Sequence, residues 1–133
     1  MSRPIFMSLP NKYTKYHPIK SIKYALNGLL IAFTREKNLF FQLCVGISFC
    51  VMGIVQERYV VAMANLIMMS LVISLEMINT AVETVCDLID INYNPKIKII
   101  KDMTAGSVLI VALSWLSILS YQILVWINII KVN

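Results

Sequence analysis

Charge is what this sequence has least of. Only 14 % of its 133 residues are Asp, Glu, Lys or Arg, where a water-soluble domain carries about 25 %. That scarcity excludes an ordinary solvated surface. Cysteine is sparse too. Cys44, Cys50 and Cys86 lie in apolar stretches, and with no metal-ligand spacing and no even-numbered framework they read as small hydrophobes. The single histidine, His17, reads as a headgroup or solvent residue. Glycine is limited to four positions, and neither GxxxxGK[ST] nor GxGxxG occurs. A nucleotide bound here is therefore held without a standard glycine-rich cradle. Met1 to Lys20 has no apolar core and no cleavage site, so it is not read as a signal peptide. No internal repeat and no low-complexity segment is present.

Hydrophobic residues supply 59 % of the chain, with a mean hydropathy of +0.75. They come in blocks. Asn38 to Gln56, Tyr59 to Leu75 and Met103 to Ile130 contain no charged residue. About 20 apolar residues cross the hydrocarbon core as a helix, which satisfies its own backbone hydrogen bonds. Three spans follow, expected at 38–55, 59–90 and 98–130. Residues 1–17 are polar and expected to be mobile. Over 19–34, Ile22, Leu26, Leu29 and Phe33 recur at helical spacing, with Lys20, Lys23, Asn27 and Thr34 opposite. That pattern predicts an amphipathic helix lying on the membrane surface; packing on the spans alone is the plainer reading. The predicted fold class is thus all-α integral membrane, with residues 18–133 as one domain.

The net charge of +5 is unevenly spread. Seven of the twelve basic residues precede the first span, three lie in the second loop (Lys96, Lys98, Lys101), and Arg58 and Lys131 lie elsewhere. The positive-inside rule then places the N-terminus and the second loop in the cytoplasm. The basic excess reads as topology and lipid contact, not as nucleic-acid binding. Lys96 and Lys98 belong to that reading.

The chemistry concentrates in the second span. At roughly 100° per residue, Glu76, Asn79, Glu83, Asp87 and Asp90 share one face within roughly 80° of each other. Ionisable groups within a span are costly and point to function, and stacked acids repel unless something positive joins them. Asn79, Thr80 and Thr84 have a plainer reading as hydrogen-bonding glue between helices, and Asp90 as a solvated helix end. Glu36 stands at the mouth of the first span, and Lys101 and Asp102 at the mouth of the third. Carboxylates with room for water suit Mg²⁺, which shares its ligands with phosphates; a lysine suits phosphate; a carboxylate left over can serve as a general base.

The block EMINTAVETVCDL at Glu76 to Leu88 resembles the signature of the prokaryotic diacylglycerol kinase and undecaprenol kinase family. IKYALNGL at Ile22 to Leu29, REKN at Arg35 to Asn38 and KDMTAGSVL at Lys101 to Leu109 are similar to its other blocks, in the same order. The resemblance covers about Pro18 to Trp126. It implies a homotrimeric bundle of three-span subunits with an N-terminal surface helix, in the bacterial inner membrane or an equivalent organellar membrane, which moves the γ-phosphate of ATP, with Mg²⁺, to a membrane lipid hydroxyl. By position it implies Glu76 as the catalytic base, Glu36 and Glu83 as metal ligands, and Asn79 as the polar residue beside the base. Tyr24, Glu36, Glu83, Asp87, Asn92, Tyr93, Asn94, Lys101 and Asp102 match nucleotide contacts. Two departures stand out. His17 lies near a position where many members have Arg, which leaves that cation to Lys20 or Lys23. Leu39, Phe40, Phe41 and Gln42 stand where many have Phe-Arg and then His. The acceptor is left open between diacylglycerol and undecaprenol. The rival reading is a non-catalytic membrane protein or transporter subunit that uses the carboxylates for ion coupling. It would need polar residues through the outer half of the bilayer, where Asn65, Ser70 and Ser117 are the few that occur.

Overall fold

The computed structural model describes residues 18–90 and 92–127. The expectations for residues 1–17, for His17 and Lys131, and for the end of the third span past residue 127 lie outside the described residues. Four helices follow in order: α1 (Pro18–Arg35), α2 (Lys37–Val55), α3 (Tyr59–Ile89) and α4 (Pro95–Trp126). Every regular element among the described residues is helical. Three of the four, α2, α3 and α4, are long and apolar enough to cross a membrane.

Two boundaries differ from the sequence reading, each for a local reason. The third span starts three residues earlier than Lys98. Asn94 caps α4 by accepting the Lys96 N–H at 3.0 Å, and Pro95 takes the first helical position, where its missing N–H costs nothing. The second span stops at Ile89 because Asp90 turns extended (φ −157°, ψ 118°) and its carboxylate captures the Asn92 N–H at 2.9 Å. The first two helices each gain one residue or two at their ends, ordinary fraying.

The α2–α3 turn is tight. Glu57 adopts a left-handed φ of 58°. Its N–H bonds Ile54 O at 2.9 Å and the Arg58 N–H bonds Gly53 O at 2.9 Å, the paired hydrogen bonds of a Schellman motif with glutamate where glycine is usual. The turn sends α3 back antiparallel along α2, and α4 returns along α3.

The α2–α3 seam repeats at alternating steps of three and four. On α2 it reads Leu39, Gln42, Gly46, Phe49, Gly53; on α3, Ala62, Asn65, Met69, Val72, Glu76, Asn79, Glu83, Cys86. Small residues let the backbones approach closely, as membrane helices require. A Cβ on Gly53 would lie 3.1 Å from the Ala62 side chain and 3.2 Å from its backbone, and one on Gly46 would run into Met69. Leu39, Met69, Val72, Ile73, Trp115 and Leu119 form the core, with Ala32 and Phe33 of α1 packed against it. Val60, Leu88 and Ile110 remain 81 %, 82 % and 68 % exposed. Side chains of this kind facing outward all round are tolerable only where the solvent is hydrocarbon.

Length decides where the polar end lies. The 19 residues of α2 rise about 28 Å at 1.5 Å each, enough for the ~30 Å core. The 31 residues of α3 rise about 46 Å and the 32 of α4 about 48 Å. The α3–α4 pair therefore outruns α2 by roughly three turns, and the excess lies at the end that carries the carboxylates.

Candidate functional site

Within the seam, α3 changes character between Val72 and Glu76. Val72 is 1 % exposed and belongs to the core. Glu76, one turn on, is half-buried and accepts a hydrogen bond from Gln42 Nε2 at 3.3 Å. One turn further, Asn79 Nδ2 donates to Glu83 Oε1 at 2.9 Å, the i to i+4 pairing of a single helix. Thr80 Oγ1 donates to Glu36 Oε1 at 3.4 Å. Glu36 reaches it because the chain breaks helix there, extended at φ −109° and ψ 99°, between α1 and α2. Thr80 and Glu83 are three residues apart on α3, so Glu36 and Glu83 come to one turn of one helix. The half-buried Asn79 leaves its Oδ1 enclosed without a partner among the described groups. Helix-joining glue accounts for Thr80, whereas Thr84 only back-bonds Thr80 O.

Beyond α2 the seam opens into a cavity of about 270 Å³ between the ends of α3 and α4. Lys101 Nζ and Asp87 Oδ1 meet at 2.6 Å across it, both substantially exposed. Asn92, Tyr93, Asn94 and Asp102, expected from the sequence, line the same cavity. So do Asp90 and Lys98, which sequence reasoning assigned to a solvated end and to topology. Asp90 is held by the Asn92 backbone N–H and then by Asn94 Nδ2 at 3.4 Å. These bonds favour its charged form and keep its carboxyl below the usual range. The cavity thus presents three carboxylates and two ammonium groups, a mixed lining suited to a polyphosphate accompanied by cations.

The structure divides the predicted residues into two groups. Asp87, Asn92, Tyr93, Asn94, Lys101 and Asp102 gather at the α3–α4 cavity, while Glu36, Glu76, Asn79 and Glu83 lie along α3 nearer the core. Tyr24 joins neither; it stands 72 % exposed on α1.

Sequence reasoning also missed two features. Gln42 is the first; it is a departure from the family pattern, but its place beside Glu76 was not foreseen. The second is a buried polar knot at the opposite end. Asn65 and Gln122 are 0 % and 1 % exposed, and Asn65 Nδ2 donates to Gln122 Oε1 at 2.5 Å. Trp115 Nε1 donates to Asn65 Oδ1 at 3.3 Å, and Gln122 Nε2 to Phe49 O at 2.9 Å. The knot joins α2, α3 and α4.

Fold and site together define a small integral-membrane protein of three spans with a carboxylate-lined polar end. The chain belongs to the prokaryotic diacylglycerol kinase family, whose family model matches residues 23–124. It is similar to a diacylglycerol kinase of Synechocystis sp., 34 % identical over 96 residues, which are 71 % of this chain and 55 % of that protein. The chain thus spans about half the length of that relative. No solved structure matches it.

Proposed function

We propose that this protein is a membrane lipid kinase that transfers the γ-phosphate of ATP to the hydroxyl of a lipid, forming phosphatidic acid from diacylglycerol or undecaprenyl phosphate from undecaprenol. The observation that carries the reading is the course of α3. One helix runs from an acid beside the apolar core, Glu76, to an acid in a charged cavity, Asp87. A lipid alcohol and a nucleotide need those two environments joined within reach of each other. Family membership supports the same activity.

In this mechanism Glu76 accepts the proton of the lipid hydroxyl as its oxygen attacks phosphorus. Lys101, and Lys98 beside it, offer charge to the phosphates, with Asp87 and Asp102 orienting the lysines and the nucleotide. Asn92, Tyr93 and Asn94 border the nucleotide. Tyr24 reaches it only if α1 lies against a neighbouring subunit or shifts, which accords with a homotrimer. The donor set fits a divalent cation: Glu36 and Glu83 would hold Mg²⁺, and the enclosed Asn79 Oδ1 is an oxygen lacking a partner beside them. Such an ion neutralises phosphate charge when bound. The exposed apolar side chains of α1 support its lying in the membrane surface, and the basic residues support a cytoplasmic site in the bacterial inner membrane.

The ion-coupling alternative is disfavoured by the knot. Asn65 is already committed to Gln122 and Trp115, and Ser70 and Ser117 donate to carbonyls of their own helices.

Purified protein in bilayers, given radiolabelled ATP and Mg²⁺ with diacylglycerol or undecaprenol separately, should label one lipid. Glu76→Gln should lower that labelling at least about a hundredfold while the helical circular dichroism stays unchanged. Full labelling by this variant would remove Glu76 as the base.

A further inference from the structure

Asp90 closes α3, and its carboxylate holds the segment that follows. Its Oδ1 accepts the Asn92 N–H at 2.9 Å and its Oδ2 accepts from Asn94 Nδ2 at 3.4 Å. Asn94 in turn accepts the Lys96 N–H on its Oδ1 at 3.0 Å, which caps α4. Tyr93 stands between the two held asparagines, 80 % exposed at the rim of the α3–α4 cavity. Asp90 has no ion-pair partner among the described residues; Lys101 is taken by Asp87.

Chemistry fixes the polarity of this relay. A carboxylate only accepts hydrogen bonds, so the NH₂ end of Asn94 must face Asp90 and its carbonyl oxygen must face Lys96. Both ends of the Asn94 amide are therefore engaged before any ligand arrives, and so is the Asn92 N–H. The same donors keep Asp90 ionised, so the relay is set at neutral pH. A cap alone would not need Asp90, because the Asn94 oxygen can serve α4 whatever stands at position 90. What Asp90 adds is a tie from the end of α3 to the start of α4, across residues that line the cavity. A segment tied down in advance does not have to be ordered by its ligand, and that spares affinity.

Resting on the lipid-kinase reading, we infer that Asp90 is a positioning residue for the nucleotide. It acts through Asn92 and Asn94. Holding them keeps Tyr93 at the rim, and it sets the start of α4, the helix that carries Lys98 and Lys101 into the cavity.

The test exchanges the two ends of the relay. In Asp90→Asn the new amide still accepts the Asn92 N–H, but its NH₂ meets the NH₂ of Asn94. One bond must go: the tie or, if Asn94 turns over, the cap. In Asn94→Asp the cap is kept, since aspartate caps as well as asparagine, but two carboxylates face each other and repel. The double variant Asp90→Asn/Asn94→Asp restores every bond with the polarity reversed and the net charge unchanged. ATP with Mg²⁺ is titrated against the full-length protein in bilayers, and lipid labelling gives the KM for ATP and for the lipid. Each single variant should weaken ATP binding and raise the KM for ATP about tenfold, with the lipid KM unchanged. The double variant should return to within about threefold of the wild type. Asn94→Asp separates the tie from the cap, because a role confined to capping α4 would leave it at the wild-type value. If Asp90→Asn does not fold, Asp90→Ala is measured in its place. An unchanged ATP affinity in either single variant, or a double variant as impaired as they are, would overturn the assignment of Asp90. A wild type that binds ATP yet labels no lipid would instead overturn the kinase reading, and the variants would still decide on Asp90 through binding alone.

Discussion

At the scale of single residues, the polar groups of this protein fall into two kinds. In the knot they are fully matched. Asn65 and Gln122 are buried at 0 % and 1 % exposure, and each has a partner for its amide nitrogen and its amide oxygen. Removing one leaves the other with an enclosed unpaired group. Asn65→Leu or Gln122→Leu should each destabilise the protein by about 1–2 kcal/mol, and the double variant should cost less than the sum of the two. Thermal unfolding in detergent would measure all three. Elsewhere the matching is partial, with Gln42 Oε1 and Asn79 Oδ1 left over at the other end and Gln56 Oε1 at the α2–α3 turn. Asp90 lies outside the spans, and its backbone partner sets a sign. Its carboxyl is held below the usual range by the Asn92 N–H, so its contribution is present above the pKa of an unfolded aspartate, about 3.9, and is lost as pH falls through the lower folded value. The Asn92 amide resonance should therefore titrate with a midpoint below that of an unfolded aspartate.

At the scale of helices, the close approach of α2 and α3 is set where glycine meets alanine. A Cβ on Gly53 would lie 3.1–3.2 Å from Ala62, partly against its backbone, and backbone cannot rotate away as a flexible side chain can. Gly53→Val should force the helices apart at the turn and cost about 1–3 kcal/mol, read as a lower unfolding temperature. Gly46 differs, because its neighbour is the Met69 side chain, which has rotamers to spare. Gly46→Ala should be the milder of the two. The seam that these glycines tighten also brings Gln42 to Glu76, so the register at the turn reaches the candidate site about four to five turns away along the same ladder.

At the scale of the whole molecule, unequal helix lengths separate the two environments. Because α2 is 19 residues and α3 is 31, the seam begins against α2 and ends facing only α4. Glu76 still has Gln42 beside it, whereas Asp87 pairs with Lys101 from α4. On the proposed cytoplasmic placement of the site, the α2–α3 turn and the α3–α4 end lie on opposite sides of the bilayer. In a cysteine-free background, Glu57→Cys should react with an impermeant thiol reagent from the periplasmic side only, and Tyr93→Cys from the cytoplasmic side only. Labelling of both from one side would contradict the topology.

Much of this was legible in the chain itself. Apolar blocks and helical periodicity report on one segment at a time, so the three long helices and the shared face of Glu76, Asn79, Glu83 and Asp87 could be read directly. The family blocks could be read the same way. Asn94 followed by Pro95 also carried the start of α4, a cap residue before a proline in the first turn. What periodicity does not carry is the register between segments. That Gln42 faces Glu76, 34 residues away, and that Asn65 meets Gln122, 57 residues away, depends on how far each helix slides along its neighbour. The glycine contacts and the turn at Glu57 fix that slide. Only the packed chain therefore shows which acid has an amide beside it and which has a lysine.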